Sequence, residues 1–169
     1  ANEKYICTEK EQDVSKAQFD TVNGRLLNES DNLSQDQIMT TLQADHETKQ
    51  LSDMIVAHGG LIEMPFVTEL TGIEGANEPK YQVVVREGNR RTVCYEQLQS
   101  EDPSGKWKSM KVWVYPPDMP VLHQKIHVAS MHITGKKEWS KLDQAAFVAD
   151  MVKDPTQTVK DIARKIGKS

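Results

Sequence analysis

Three valines, Val83-Val84-Val85, run straight into Arg86-Glu87-Gly88-Asn89-Arg90-Arg91, and the residues beyond fall into the spacing of a short helix. A β-branched run of that length predicts a strand, and glycine lets a chain turn sharply into the helix that follows. The helix is predicted to open at Gly88, to run two to three turns through Val93 and Leu98, and to dissolve at Asp102-Pro103-Ser104-Gly105. Backbone N–H groups at such a start face an anion, and the helix dipole adds partial positive charge. Two guanidinium forks beside it match the geometry of phosphate oxygens. Gly88, Asn89, Arg90 and Arg91 are therefore predicted to hold a phosphate group. The same pattern also occurs as a surface turn with solvated charges, so its surroundings decide the reading.

Those surroundings are read from periodicity and punctuation. Helix formers fill Ser34 to His58, with Leu51, Met54, Ile55 and His58 on one stripe, and Gly59-Gly60 ends them. Met64 to Leu70 reads as a short strand, Thr71 to Pro79 as a loop and Tyr81 to Val85 as the next strand. Met110 to Tyr115 makes another strand, which Pro116-Pro117 must end because proline cannot donate to a ladder. A helix is predicted from about Pro120 to Met131 and another from about Ser140. A further stripe, Val159, Ile162, Ala163 and Ile166, starts from Thr158 as N-cap. A mixed sheet with helices, then helices alone, predicts an α/β (α+β) domain over residues 14–131 and a helical extension over residues 132–169.

A chain of 169 residues is long enough for one good core. Its hydrophobic fraction of 37% and charged fraction of 27% are ordinary for a globular protein, with no apolar run long enough for a bilayer. No secretory leader pattern opens the sequence, so the cytoplasm is the default location and no membrane partner is expected. The two cysteines, Cys7 and Cys94, lack the spacing of a disulfide framework or a zinc site. Charge is uneven: residues 1–63 carry five Lys/Arg against twelve Asp/Glu, and residues 153–169 carry five against two. A basic tail on an acidic body attracts polyanions, although a solvated helix face has the same composition.

The order of these pieces resembles the ParB/sulfiredoxin-like family. His58-Gly59-Gly60-Leu61-Ile62-Glu63-Met64-Pro65-Phe66-Val67 resembles the family's glycine-ended helix followed by Leu, a polar residue, Pro and a strand. Tyr81 to Arg91 is similar to its strand and Gly-Glu-Arg-Arg box, with Asn89 in the acidic position. Asn23-Gly24-Arg25 is similar to its Asn-Pro-Arg element. Trp139 to Ala145 resembles the helix after its second phosphate motif, and Thr158 to Ser169 the first helix and turn of its helix-turn-helix. The resemblance implies a nucleotide-binding, DNA-associated protein with slow, Mg2+-assisted triphosphate hydrolysis. DNA, a nucleoside triphosphate and a second copy of the chain are the partners it implies. By the same resemblance Asn23, Arg25 and Gly60 join the phosphate site, and His132, Thr134, Gly135 and Lys136 close it across the pocket from Arg90. Since the sequence stops at Ser169, before a second helix, weak and salt-dependent DNA binding through phosphates is expected.

The departures matter as well. The family's box continues with Arg and Ala where this chain has Val93 and Cys94, and its Glu-Asn-Arg motif falls where this chain reads His132 to Lys136. The base therefore stays open between CTP and ATP. Sulfiredoxin's redox chemistry is set aside, because its nucleophilic cysteine falls at Asn89. Glu87 is the candidate catalytic residue, as a Mg2+ ligand or a base, with a salt bridge to Arg86 or Arg90 as the competing role. A ParB-like nuclease or phosphodiesterase would need clustered acidic metal ligands, and a module that only binds is the third reading. His123 and His127, four apart, have no Glu or Cys companions that would make a metal site.

Overall fold

The computed structural model describes residues 4–21, 33–61, 63–71, 80–133 and 141–166, the side chains of Leu142 and Asp143 excepted. Its chain divides into two units, Ala1–Asp20 with Ser34–Pro117 and Thr21–Leu33 with Asp118–Ser169.

The valine run sits where such a run must. Strand β4 (Val83–Glu87) is flanked on both sides in a five-stranded sheet, with Val83, Val84 and Val85 all buried. The sheet also contains β1 (Thr8–Asp13), β2 (Ala17–Phe19), β3 (Phe66–Glu69) and β5 (Ser109–Val114), in the order β1-β5-β3-β4-β2. β3 lies antiparallel to β4 and parallel to β5, while β1 closes one edge antiparallel to β5 and β2 the other parallel to β4. Side chains from alternate strand positions, Val67, Val83, Val85, Val112 and Val114, meet Ile55, Cys94 and Tyr95 in the core. The last three come from helices α2 (His46–His58) and α3 (Asn89–Glu101).

The helix predicted over Ser34 to His58 is two helices. The first, α1 (Gln35–Gln43), begins on a reciprocal capping box between Ser34 and Gln37. It stops at Ala44 because Asp45 takes extended backbone and its side chain accepts from the Glu47 amide, which starts α2 afresh. α2 ends at Gly59 in the left-handed region (φ 72°), as the glycine pair predicts. His58 Nδ1 lies 2.8 Å from the Met54 carbonyl, a capping contact at the helix C-terminus. α3 is longer than expected, thirteen residues, and ends at Asp102.

On α3, burial raises the Glu96 carboxyl to about 7, and no ion pair reaches it among the described residues. An unfolded chain releases that proton near pH ~4.3. The folded chain therefore binds more protons between the two values, and stability falls as pH rises through that window. Glu96→Gln is expected to match the parent at pH 4 and to exceed it at pH 8. The gain should be about 1 kcal/mol once partial exposure is discounted. Urea melts at the two pH values check this, and an equal shift at both would refute the assignment.

In the second unit, α4 (Val121–Ile133), α5 (Lys141–Met151) and α6 (Val159–Lys165) share a core of Val128, Ala129, Ile133, Phe147, Met151, Ile162 and Ile166. Lys125 of α4 and Lys153 both hold Asp150 of α5, and their hydrogen bonds and charge outweigh burial to keep its carboxyl below the usual range. α6 opens on a capping box between Thr158 and Asp161. No described helix is long and apolar enough to cross a membrane.

Candidate anion site at the start of helix α3

Gly88 turns the chain from β4 into α3 at φ 98° and ψ 25°, a conformation that costs other residues ~1–2 kcal/mol. No side chain caps this helix start. The first intrahelical contacts come from Thr92, whose N–H and hydroxyl both donate to the Gly88 carbonyl, at 3.0 and 3.1 Å. The glycine leaves no open cradle on its Cβ side. A Cβ there would stand 2.7 Å from the Pro65 Cβ and 3.0 Å from its Cα, so Pro65 occupies that space. Any ligand must approach along the amides instead.

Asn89, the first helical residue, is 4% exposed, and both its Oδ1 and its Nδ2 lack a partner. A buried primary amide left unpaired costs ~1–3 kcal/mol, so its position at an uncapped helix start calls for something to bond it.

The arginines are each committed. Arg90, 17% exposed, donates Nη2 to Asp45 and Nη1 to Glu47 at 2.5 Å, both at the start of α2. Arg91 forms a two-pronged pair with Glu87, Nη1 to Oε2 and Nη2 to Oε1 each at 3.1 Å, and Glu63 stands 3.6 Å away. Arg86 reaches Asp20 at 2.9 Å and Thr68 at 3.1 Å. Glu87 thus forms a salt bridge, as the competing role expects, but to Arg91 in place of Arg86 or Arg90. Asp45, Glu47 and Glu63 escape sequence reasoning as site residues. Asp45 alone carries a local signal, its N-cap position before a helical run.

Gly60 lies beside the Tyr95 hydroxyl, in a surface cavity of about 480 Å3 with Glu9, Glu11 and Lys111 on its walls. His132 occupies the last turn of α4, in the second unit. Asn23, Arg25, Thr134, Gly135 and Lys136 lie outside the described residues. Cys94 is fully buried, donates to the Thr48 carbonyl and is pushed up to about 11 by burial, so it is no thiolate nucleophile at neutral pH. Among the described residues no three His, Cys, Asp or Glu side chains gather as metal ligands, and Asp45, Glu47 and Glu87 beside the start of α3 are each paired with an arginine.

No family model matches the chain, and no curated protein matches it. Among solved structures it is similar to a Pnob8-like ParB-N domain at a TM-score of 0.54 and 13% identity, covering 96% of this chain and 51% of that one. A second likeness is to the C-terminally truncated chromosome-partitioning protein ParB from Caulobacter crescentus, complexed to the centromeric parS site. There the TM-score is 0.49 and the identity 14%, covering 95% of this chain and 65% of that one. The chain spans about half the length of the first and less than two thirds of the second.

Proposed function

We propose, from a chain with the fold of a ParB N-terminal domain, that it binds a nucleoside triphosphate at the start of α3 and associates with DNA. The observation that carries the nucleotide reading is Asn89: a buried amide with neither atom bonded, at a helix start with no side-chain cap, between Gly88 and two arginines. A phosphate seated on the α3 amides would accept from them and from the Asn89 Nδ2, and Arg90 and Arg91 would neutralise its charge.

Glu87 holds Arg91 in plane, so its first role here is to position a guanidinium. Slow hydrolysis would use it to orient water once Arg91 turns to phosphate and frees its oxygens. The described carboxylates do not form a metal site, so Mg2+ is assigned no protein ligand and no step. DNA association rests on the ParB-N fold and on the locally basic end of the chain, where α6 exposes Lys160 and Arg164.

Calorimetry with CTP, ATP, GTP and UTP, each with Mg2+, tests the nucleotide reading. At least one is expected to bind, and Arg90→Gln is expected to weaken it by about 1.5–3 kcal/mol, the worth of a charge-assisted hydrogen bond. Binding by none of the four, or equal affinity in the variant, would sink it.

A further inference from the structure

Resting on that reading, we propose that Asp45 and Glu47 are an internal stand-in for phosphate: their carboxylates take the Arg90 fork until a polyphosphate displaces them and releases the start of α2.

The geometry is that of a competitor. Arg90 offers its two terminal nitrogens to two carboxylates from one helical turn, which is the arrangement two phosphate oxygens would take. Asp45 has a second task, since its Oδ1 accepts from the Glu47 amide at 3.0 Å while its Oδ2 holds Arg90. One carboxylate therefore fastens both the first turn of α2 and the guanidinium. Glu47 is 64% exposed, so its half of the contact lies at the surface, where ion pairs are weak enough to be exchanged, while Arg90 and Asp45 are partly buried at 17% and 32%. From Thr48, the third helical residue, α2 stays docked: that residue is 2% exposed and its carbonyl accepts from Cys94 of α3. Release is therefore confined to the cap and the two residues before Thr48, Asp45 to Glu47.

The consequence is selection by charge. A ligand must replace two carboxylates on Arg90 before it gains anything there, so one phosphate group competes poorly and a chain of three competes well. The start of α2 in turn reports occupancy, because it loses its Arg90 anchor only when the site fills.

The test uses inorganic phosphate, pyrophosphate and tripolyphosphate on the full chain, as parent and as Asp45→Asn/Glu47→Gln. Asparagine keeps an N-cap at position 45, so α2 should still form. Tripolyphosphate is expected to bind the double variant about tenfold more tightly, the worth of two exchangeable ion pairs. Asp53→Asn removes a charge from the same helix without touching Arg90 and is expected to change affinity less than about twofold. In the parent, tripolyphosphate is expected to speed hydrogen exchange at the Glu47 amide. Equal affinity in parent and double variant, or an equal gain from Asp53→Asn, overturns the stand-in and leaves the anion site standing. Binding to neither protein overturns the site and the stand-in together.

Discussion

Arg91→Ala is expected to lower stability by about 2–3 kcal/mol. The reason is Glu87. Its side chain is 6% exposed, at the end of the interior strand β4, and both its oxygens face the Arg91 guanidinium at 3.1 Å. Removing the arginine leaves a buried carboxylate without its main partner, and that residue of charge costs more than the pair was worth. The fully buried limit is ~3–5 kcal/mol. Arg91 at 18% exposure and the exposed Glu63 nearby argue for a smaller loss. Glu87→Gln added to Arg91→Ala should recover at least half of it, because a neutral amide is cheaper to bury. Urea melts of both variants give the answer: an unchanged midpoint in Arg91→Ala would mean that Glu87 is satisfied without it. Binding data on Arg91→Ala alone would be misleading, which is why Arg90 carries the nucleotide test.

The elements legible in the sequence are those whose local chemistry agrees with their place in the fold. Val83 to Val85 announce a strand buried on both faces, Gly59 a helix end and Pro116 a strand end, and the structure has all three. β1 left no such mark. Its six residues, Thr8 to Asp13, are all polar, and backbone pairing with β5 holds them at a sheet edge where only Gln12 is buried. A strand made by its partner's hydrogen bonds has no alternation to read. The break between α1 and α2 hides for the opposite reason: helix formers continue straight through it, and one Asp side chain decides.

The candidate site divides the same way. A glycine, an amide and two arginines between a strand and a helix could be seen as a pattern. Which carboxylates hold Arg90 could not, since Asp45 and Glu47 lie more than forty residues away and meet it only through the packing of α2 on α3. The ParB-N resemblance carried the fold because backbone path follows from the spacing of glycines, prolines and apolar runs. Ion pairing depends on tertiary contacts that spacing does not encode.

Gly88→Ala is expected to be the most damaging single change, at about 2–5 kcal/mol. Two terms add. The left-handed backbone at φ 98° costs an alanine ~1–2 kcal/mol, and overpacking costs a further ~1–3 kcal/mol. The second term is large because the clash cannot be relieved cheaply. The new methyl would stand 2.7 Å from the Pro65 Cβ and 3.0 Å from its Cα, a rigid ring and backbone instead of a mobile side-chain end. Pro65 is itself held, since its carbonyl accepts from the Trp113 amide at 2.8 Å where β3 meets β5. Gly59→Ala supplies the control. It carries the same kind of backbone, φ 72°, with nothing within 4 Å of the added carbon, so only the conformational term should appear. Denaturant melts of the two variants side by side separate the terms. Equal losses would show that Pro65 yields, and a larger loss at Gly88 would show that this glycine is required by packing before any ligand arrives. In the second case reduced nucleotide binding by Gly88→Ala says nothing about contact with phosphate unless the folded fraction is measured in the same sample.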